Sequence, residues 1–350
     1  MSLEAQVTGV SKQEELTKEY SQRLGVLSGA QLQSALDRFG LGELVDARPA
    51  PGGLFGQNVL LTSTSGEYVL RGHAHYDGQF EKERFFCRLI HERSDAEAPW
   101  PFLIERSTDV FGWGYALMPL LPGEHLSDRE VQRALSRDDR VALARAMGAY
   151  LALVHQATWD VPAEYDHAAD DLRPLASSYG DWFVERVRER IERCRRHSTT
   201  ATTDEDVAWV ESLIDAARAS LDAPFVPSFV HTDYAEGNVV AERTGEGWRV
   251  GGVFDLGEAY MGDGEYDLAR LACLYGMQGE AHLQAFCDAY TELRPPRPGF
   301  RERLALYIVA DRLIFWEYGH RNNVWFTDPN QTFRMWAEPY VAIADAVARD

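Results

Sequence analysis

The sequence predicts an α+β fold in two lobes, a small β-rich lobe followed by a larger, mainly helical one. Three observations predict it. Two short apolar runs at residues 58–61 and 67–71 flank a Ser/Thr/Gly turn, the pattern of a β-hairpin. Pro119, Pro122 and Gly123 then break the chain just after another apolar run. Beyond that break most segments carry helical spacing around a single β-like island between Phe229 and Phe254. With 350 residues, 45% of them hydrophobic, the chain is long enough for two lobes. We set the boundary so that residues 1–118 form the N-terminal lobe and residues 119–350 the C-terminal lobe.

Taken in order, Lys12 to Phe39 has apolar residues at helical spacing (Leu24, Leu27, Leu32, Leu36) and predicts one or two leading helices. A Pro/Gly turn cluster at residues 51–56 precedes the hairpin. Phe80 to His91 predicts a helix burying Phe85, Phe86, Leu89 and Ile90. Strands are expected at Phe102–Ile104 and Tyr115–Met118. In the second lobe Ser127 and Glu130 have the spacing of a capping box. Helices are expected over Val141–Gln156, Ser178–His197, Asp204–Leu221, Tyr266–Leu271, His282–Tyr290, Phe300–Tyr318 and Gln331–Ala346. The β island comprises Phe229–Val230, Asn238–Ala241 and Trp248–Phe254.

The formal net charge is −20. That balance argues against nucleic acid or an anionic membrane as partner, since both require Lys/Arg patches. It suits a cationic ligand held by Asp and Glu. Cys87, Cys194, Cys273 and Cys287 form no C-x-x-C pair, so neither a zinc site nor a disulfide framework is indicated. The first twenty residues lack the apolar core of a signal peptide, and no apolar run approaches the roughly 20 residues needed to span a bilayer. The expectation is a cytoplasmic protein, monomeric or homodimeric.

The island carries the chemistry. It reads His231-Thr232-Asp233-Tyr234-Ala235-Glu236-Gly237-Asn238, then Val253-Phe254-Asp255-Leu256-Gly257. Phosphoryl transfer needs an acceptor for the attacking hydroxyl's proton and oxygen ligands for Mg²⁺. An Asp followed five positions later by an Asn supplies both from one loop, and an Asp at the end of the next hairpin supplies a carboxylate ligand. Each residue alone also has an ordinary structural reading; the assembled spacing is what points to a kinase.

These segments resemble the aminoglycoside phosphotransferase family, within the protein-kinase-like superfold. The family patterns H-G-D-x-x-x-x-N, I-D-x-G and G-D-x-x-x-D-L-A read here as His231 to Asn238, Phe254 to Gly257 and Gly262 to Ala269. The resemblance implies Asp233 as base, Asn238 and Asp255 as Mg²⁺ ligands, His231 as a loop brace, and Asp263 and Asp267 as structural anchors. Thr232 stands where the family has Gly, and the expectation is that Gly is not strictly required there. Residues 52–58 fall at the nucleotide loop, implicating Gly53 and Asn58. Arg71 takes the place of the phosphate-binding Lys, with Glu83 as its partner on the following helix. Tyr115 to Glu124 resembles the hinge that receives adenine, implicating Met118, Leu120 and Leu121. Because Pro119 has no N–H, Leu120 or Leu121 must donate to the base. Leu151 to His155 resembles a structural helix end. The resemblance covers roughly Pro51 to Leu271 and implies ATP, with GTP as the alternative.

Between Asp255 and Asp267 there is no room for a long activation segment, which favours a small acceptor over a protein. Glu236 and Glu258 beside the catalytic segments, with Asp311 and Glu317 on a late helix, are candidate contacts for a cationic acceptor. The late segments weakly resemble hygromycin-type phosphotransferases, so an aminocyclitol or aminoglycoside antibiotic is the first expectation. A kinase for another small alcohol (macrolide, choline, homoserine or a sugar-like metabolite) stays open, as does an inactive ligand-binding relative.

Overall fold

The computed structural model describes residues 16–50, 57–198, 200–245 and 247–348. Five antiparallel strands make the sheet of the N-terminal lobe, in the spatial order Leu44–Pro49, Asn58–Ser63, Gly66–Gly72, Tyr115–Pro119 and Leu103–Glu105. The expected hairpin is present, with Asn58 opposite Arg71 and Leu60 opposite Val69. Alternation along the fourth of these strands divides its side chains between two faces. Tyr115 and Leu117 join Val59, Leu61 and Leu70 beneath the helix Gly29–Asp37, which contributes Leu32, Ala35 and Leu36. Ala116 and Met118 face the opposite way, toward Phe80, Phe86 and Ile90 of the helix Gln79–Arg93. That second core runs on without a break into the C-terminal lobe. The sheet is therefore rooted in both lobes, and the helix Gln79–Arg93 ties one to the other.

The C-terminal lobe packs the helices Arg137–Val154 and Glu280–Leu293 closely. A Cβ on Gly148 would lie 2.0 Å from the Phe286 carbonyl oxygen, so only glycine permits this approach. The helix Phe300–Asn322 has buried residues on every side, as a helix through the middle of a lobe must. It lies against Tyr179–His197, Asp204–Leu221 and Leu268–Gln278. The strand Ser228–Val230 pairs with Tyr260–Gly262, and Val239–Thr244 pairs with Gly247–Val253. These two small ladders carry residues 231–238 and 254–257 at their ends.

Several elements differ from expectation. The leading segment is not wholly helical: Lys18–Ser21 and Gly25–Leu27 form a two-stranded ribbon before the helix Gly29–Asp37. Leu24 and Leu27 are buried in the ribbon, and their three-residue spacing fits a tight hairpin as well as a helix. Asp128 rather than Ser127 caps the helix Arg129–Ala134, its side chain accepting the Glu130 N–H, while Ser127 turns to His125. The strands Ala163–Asp166 and Asp171–Pro174 were not anticipated. The final helix is divided into Phe333–Val341 and Ile343–Val347, with Pro339 in its first part.

Candidate active site

His231 ends the strand Ser228–Val230 and is fully buried. Its Nε2 bonds the Phe254 carbonyl at 3.0 Å and its Nδ1 accepts the Asp233 N–H at 3.2 Å. These partners require the neutral Nε2–H tautomer. Burial, opposed by Asp267, lowers the His231 pKa and keeps the ring uncharged. One imidazole thus joins the loop of Asp233 to the strand that delivers Asp255.

Thr232 has φ +71°, so the loop takes the left-handed conformation with a β-branched residue in place of Gly. A β-branched residue bears that geometry at a cost of about 1–2 kcal/mol. The conformation is held because Asp267 accepts both the His231 N–H, at 2.7 Å, and the Thr232 N–H, at 2.8 Å. Asp267 also meets His155 Nε2 at 3.2 Å, and the other nitrogen of that ring meets Tyr290 Oη at 2.9 Å. Asp263 receives Arg297 and the Tyr307 hydroxyl. Both trailing acids are therefore braces.

Asn238 donates through Nδ2 to the Asp233 carbonyl at 2.8 Å, and its own carbonyl accepts the Phe254 N–H at 3.0 Å. Its Oδ1 is the free end of the amide. Asp255 also has positive φ, +66°, and 45% of its side chain is exposed. An Asp tolerates this conformation better than a β-branched residue does.

Arg71 lies across from these oxygens, meeting Asp255 at 3.0 Å and Glu83 at 3.1 Å. Glu83 is buried and takes a second bond, 2.8 Å from Gln79 Nε2. Burial raises its pKa while Arg71 opposes the rise. Arg71 loses stabilisation by burial, yet Glu83 and Asp255 more than compensate and its pKa is raised. Among the described residues its Nε has no partner, and neither does Asn58 Oδ1 on the neighbouring strand. Buried polar atoms are ordinarily paired, so these two are available to a polar ligand. Tyr76 closes the same seam by donating to the Gly257 carbonyl at 2.7 Å.

The hinge is narrower than expected. The Leu120 N–H donates to the Glu67 carbonyl at 3.0 Å, extending the strand pairing, so Leu120 is corrected as a donor to a base. Met118 lies on the buried face of its strand, and Leu121 follows it into the interlobe turn. Gly53 lies outside the described residues.

The acids expected to meet an acceptor are mostly engaged. Asp311 is buried between Arg270 and Arg312. Glu317 is held by Arg190 and Arg193, each at 3.1 Å. Glu236 receives the Tyr275 hydroxyl at 3.0 Å and Gln132 at 3.3 Å, and burial raises its pKa. Glu258 alone of the four is exposed. Among the described residues no group of three or more His, Cys, Asp or Glu is gathered as a metal cluster.

Arg270, which the sequence reading did not single out, pairs with Asp233. Its spacing from Asp267, one helical turn, was the available signal: residues three apart share a face.

Known proteins share this organisation. Residues 46–303 match the phosphotransferase enzyme family. A homoserine kinase of Neisseria meningitidis serogroup B (strain MC58) is 26% identical over 279 residues, 77% of this chain and 81% of the relative. Aminoglycoside phosphotransferase APH(4)-Ia, solved with ADP and hygromycin B, superposes with a TM-score of 0.58 at 18% identity, covering 91% of this chain and 98% of that one. Aminoglycoside 2'-phosphotransferase-IIIa, solved with GDP, gives 0.58 at 13% identity, covering 93% and 98%. At these identities the structures establish the fold, a protein-kinase-like one.

Proposed function

The chain belongs to the phosphotransferase enzyme family, which makes it a small-molecule kinase, and we propose that it moves the γ-phosphoryl group of ATP to an acceptor hydroxyl at Asp233. The observation that carries the reading is the arrangement of Asp233, Asn238 and Asp255 on two braced segments facing the buried Arg71. The Asp233 carboxylate orients the hydroxyl and receives its proton as the new P–O bond forms and the bond to ADP breaks.

Asn238 Oδ1 and the Asp255 carboxylate are hard oxygen donors of the kind Mg²⁺ takes when most of its shell is phosphate and water. Such an ion neutralises charge on the β- and γ-phosphates when bound. Arg71 Nε and Asn58 Oδ1, both lacking partners, suit a polyphosphate and its hydration. Gly53 belongs to this nucleotide set by its place in the sequence. Adenine is placed beside Met118, with the Leu121 N–H as the hinge donor. GTP is the alternative nucleotide, since a structural neighbour was solved with GDP. Nucleotide chemistry and four unpaired cysteines suit the cytoplasm.

For the acceptor, an aminocyclitol is supported by the fold shared with the hygromycin B complex. Glu258 after Asp255 and Glu236 on the Asp233 loop are its candidate contacts. A second reading is favoured by a specific observation: Asp311 and Glu317 are each neutralised by two arginines. This removes the acidic face a polycation needs and suits an acceptor carrying a carboxylate, such as homoserine, the substrate named for the relative from Neisseria. A panel of aminoglycosides, macrolides, choline, homoserine and sugar alcohols, assayed for acceptor-dependent ADP release, tests both. Stimulation by hygromycin-type compounds supports the first reading, and stimulation by homoserine alone supports the second. No stimulation by any hydroxylated compound sinks the kinase reading.

A further inference from the structure

We propose that Arg270 is a positioning residue for Asp233, fixing which carboxylate oxygen faces the acceptor. The proposal rests on the kinase reading of Asp233 given above.

Arg270 lies in the first turn of the helix Leu268–Gln278, and 16% of its side chain is exposed. Its guanidinium is fixed before it reaches Asp233. Nε and Nη2 both meet Asp311 Oδ1 at 2.9 Å, and the guanidinium carbon stands 5.0 Å over the Phe315 ring. Asp311 is buried, and its other oxygen is held by Arg312, whose guanidinium covers the same ring at 4.5 Å. This leaves Nη1, which points to Asp233 Oδ1. A ring flanked by two guanidiniums, with a shared carboxylate at its edge, gives the group little freedom to swing.

The same helical turn grips the loop twice. Asp267 accepts the N–H groups of His231 and Thr232, fixing the backbone. Arg270, three residues on, takes one oxygen of the Asp233 side chain. With 46% of its side chain exposed, Asp233 keeps its second oxygen open to an acceptor hydroxyl. The other charged groups at the site are Asp255 with Arg71, and Asp267 beneath the loop backbone; among the described residues Arg270 is the cation paired with the Asp233 carboxylate.

Stability alone does not account for the cluster. Buried ion clusters cost desolvation and are often no more stable than a hydrophobic replacement. A carboxylate that must be aimed has a use for a fixed donor. Because phosphoryl transfer passes through a loose transition state with late proton movement, aim matters more than proton affinity. Arg270 serves that order of priorities.

The test uses the full chain with Arg270→Gln, which keeps a donor but removes the charge, and Arg270→Lys, which keeps the charge. With a productive acceptor, Arg270→Gln is expected to lower kcat on the order of 10²-fold with little change in KM for ATP. Arg270→Lys, which keeps a charged donor, should recover part of the rate. Asp311→Asn, which loosens the clamp without touching Asp233, should give a smaller fall in kcat, and it stands in should Arg270→Gln fail to fold. Wild-type kcat in Arg270→Gln and Asp311→Asn, or a fall in kcat that Arg270→Lys does not relieve or that is matched by an equal rise in KM for ATP, would overturn the proposal. Absence of turnover in the wild-type protein contradicts the kinase reading instead, so the two failures are separable.

Discussion

Asp233 and Thr232 sit side by side and make opposite demands on the chain. The proposed function puts the chemistry on Asp233, so Asp233→Asn, which keeps shape and loses the base, should lower kcat by roughly 10²–10⁴-fold without unfolding the protein. Steady-state kinetics beside a thermal melt checks both halves. Thr232 carries backbone strain at φ +71°. Thr232→Gly removes the left-handed penalty of about 1–2 kcal/mol but adds unfolded-state entropy of about 0.5–1 kcal/mol, so its stability should equal or slightly exceed wild type. A loss of more than about 1 kcal/mol in denaturant titration would show that the Thr side chain supports the loop. The strain was not legible in the sequence, where Thr at a Gly position leaves the backbone geometry open. Asp267 explains the outcome, since its carboxylate accepts two N–H bonds from loop residues thirty-five and thirty-six positions away. The same holds for Leu120. The missing donor at Pro119 was visible in the sequence, but the engagement of Leu120 by Glu67 depends on strand register.

Histidine burial gives a further expectation at this scale. Burial lowers the pKa of His155 despite the opposing Asp267. In the unfolded chain the same group titrates near about 6.5. Below that value the unfolded state binds more protons, so stability rises with pH through this window and is complete above it. Acidification from neutral pH should therefore destabilise the protein, and His155→Gln should flatten the dependence. Urea midpoints measured from pH 5 to 8 check this, and an unchanged slope would contradict it.

Among elements, the helix Gln79–Arg93 is the piece on which the nucleotide site depends. Phe80, Phe86 and Ile90 root it in the core shared by both lobes, and Glu83 reaches across to Arg71. Glu83→Ala would leave Arg71 with only Asp255 as partner. It should cost up to about 3 kcal/mol and weaken ATP binding more than acceptor binding, as melts and separate KM values would show. Equal effects on both substrates would argue that Glu83 only packs. The helix pair Arg137–Val154 and Glu280–Leu293 depends on Gly148. Gly148→Ala, favourable in an isolated helix, should here destabilise by about 1–3 kcal/mol because the added methyl meets the Phe286 carbonyl. Calorimetry of that single variant is sufficient. Periodicity made most of these helices readable, and the hairpin of Asn58 and Arg71 was readable from its turn. The N-terminal ribbon and the strands Ala163–Asp166 and Asp171–Pro174 were not. Strands of three or four residues in local hairpins carry little pattern of their own.

For the whole molecule, the site is assembled where two lobes share one core. The loop residues His231, Asp233, Asn238 and Asp255 could be found because phosphoryl transfer fixes their types and their spacing along one stretch of chain. Arg270 and the pairing of Asp311 and Glu317 could not, because each joins helices far apart in sequence. Acidity overall says little about the charge of one cleft, and a net charge of −20 coexists with arginine-paired acids around the late helix. The central claim is that Asp233 directs phosphoryl transfer from a Mg²⁺-nucleotide to a small hydroxyl. Acceptor-dependent ADP release, measured with and without Mg²⁺ for wild type and Asp233→Asn, tests it most directly. The account predicts Mg²⁺-dependent turnover by the wild type and a loss of at least about 10²-fold in the variant. Equal rates in the two proteins, or wild-type turnover indifferent to every hydroxylated acceptor, would contradict it.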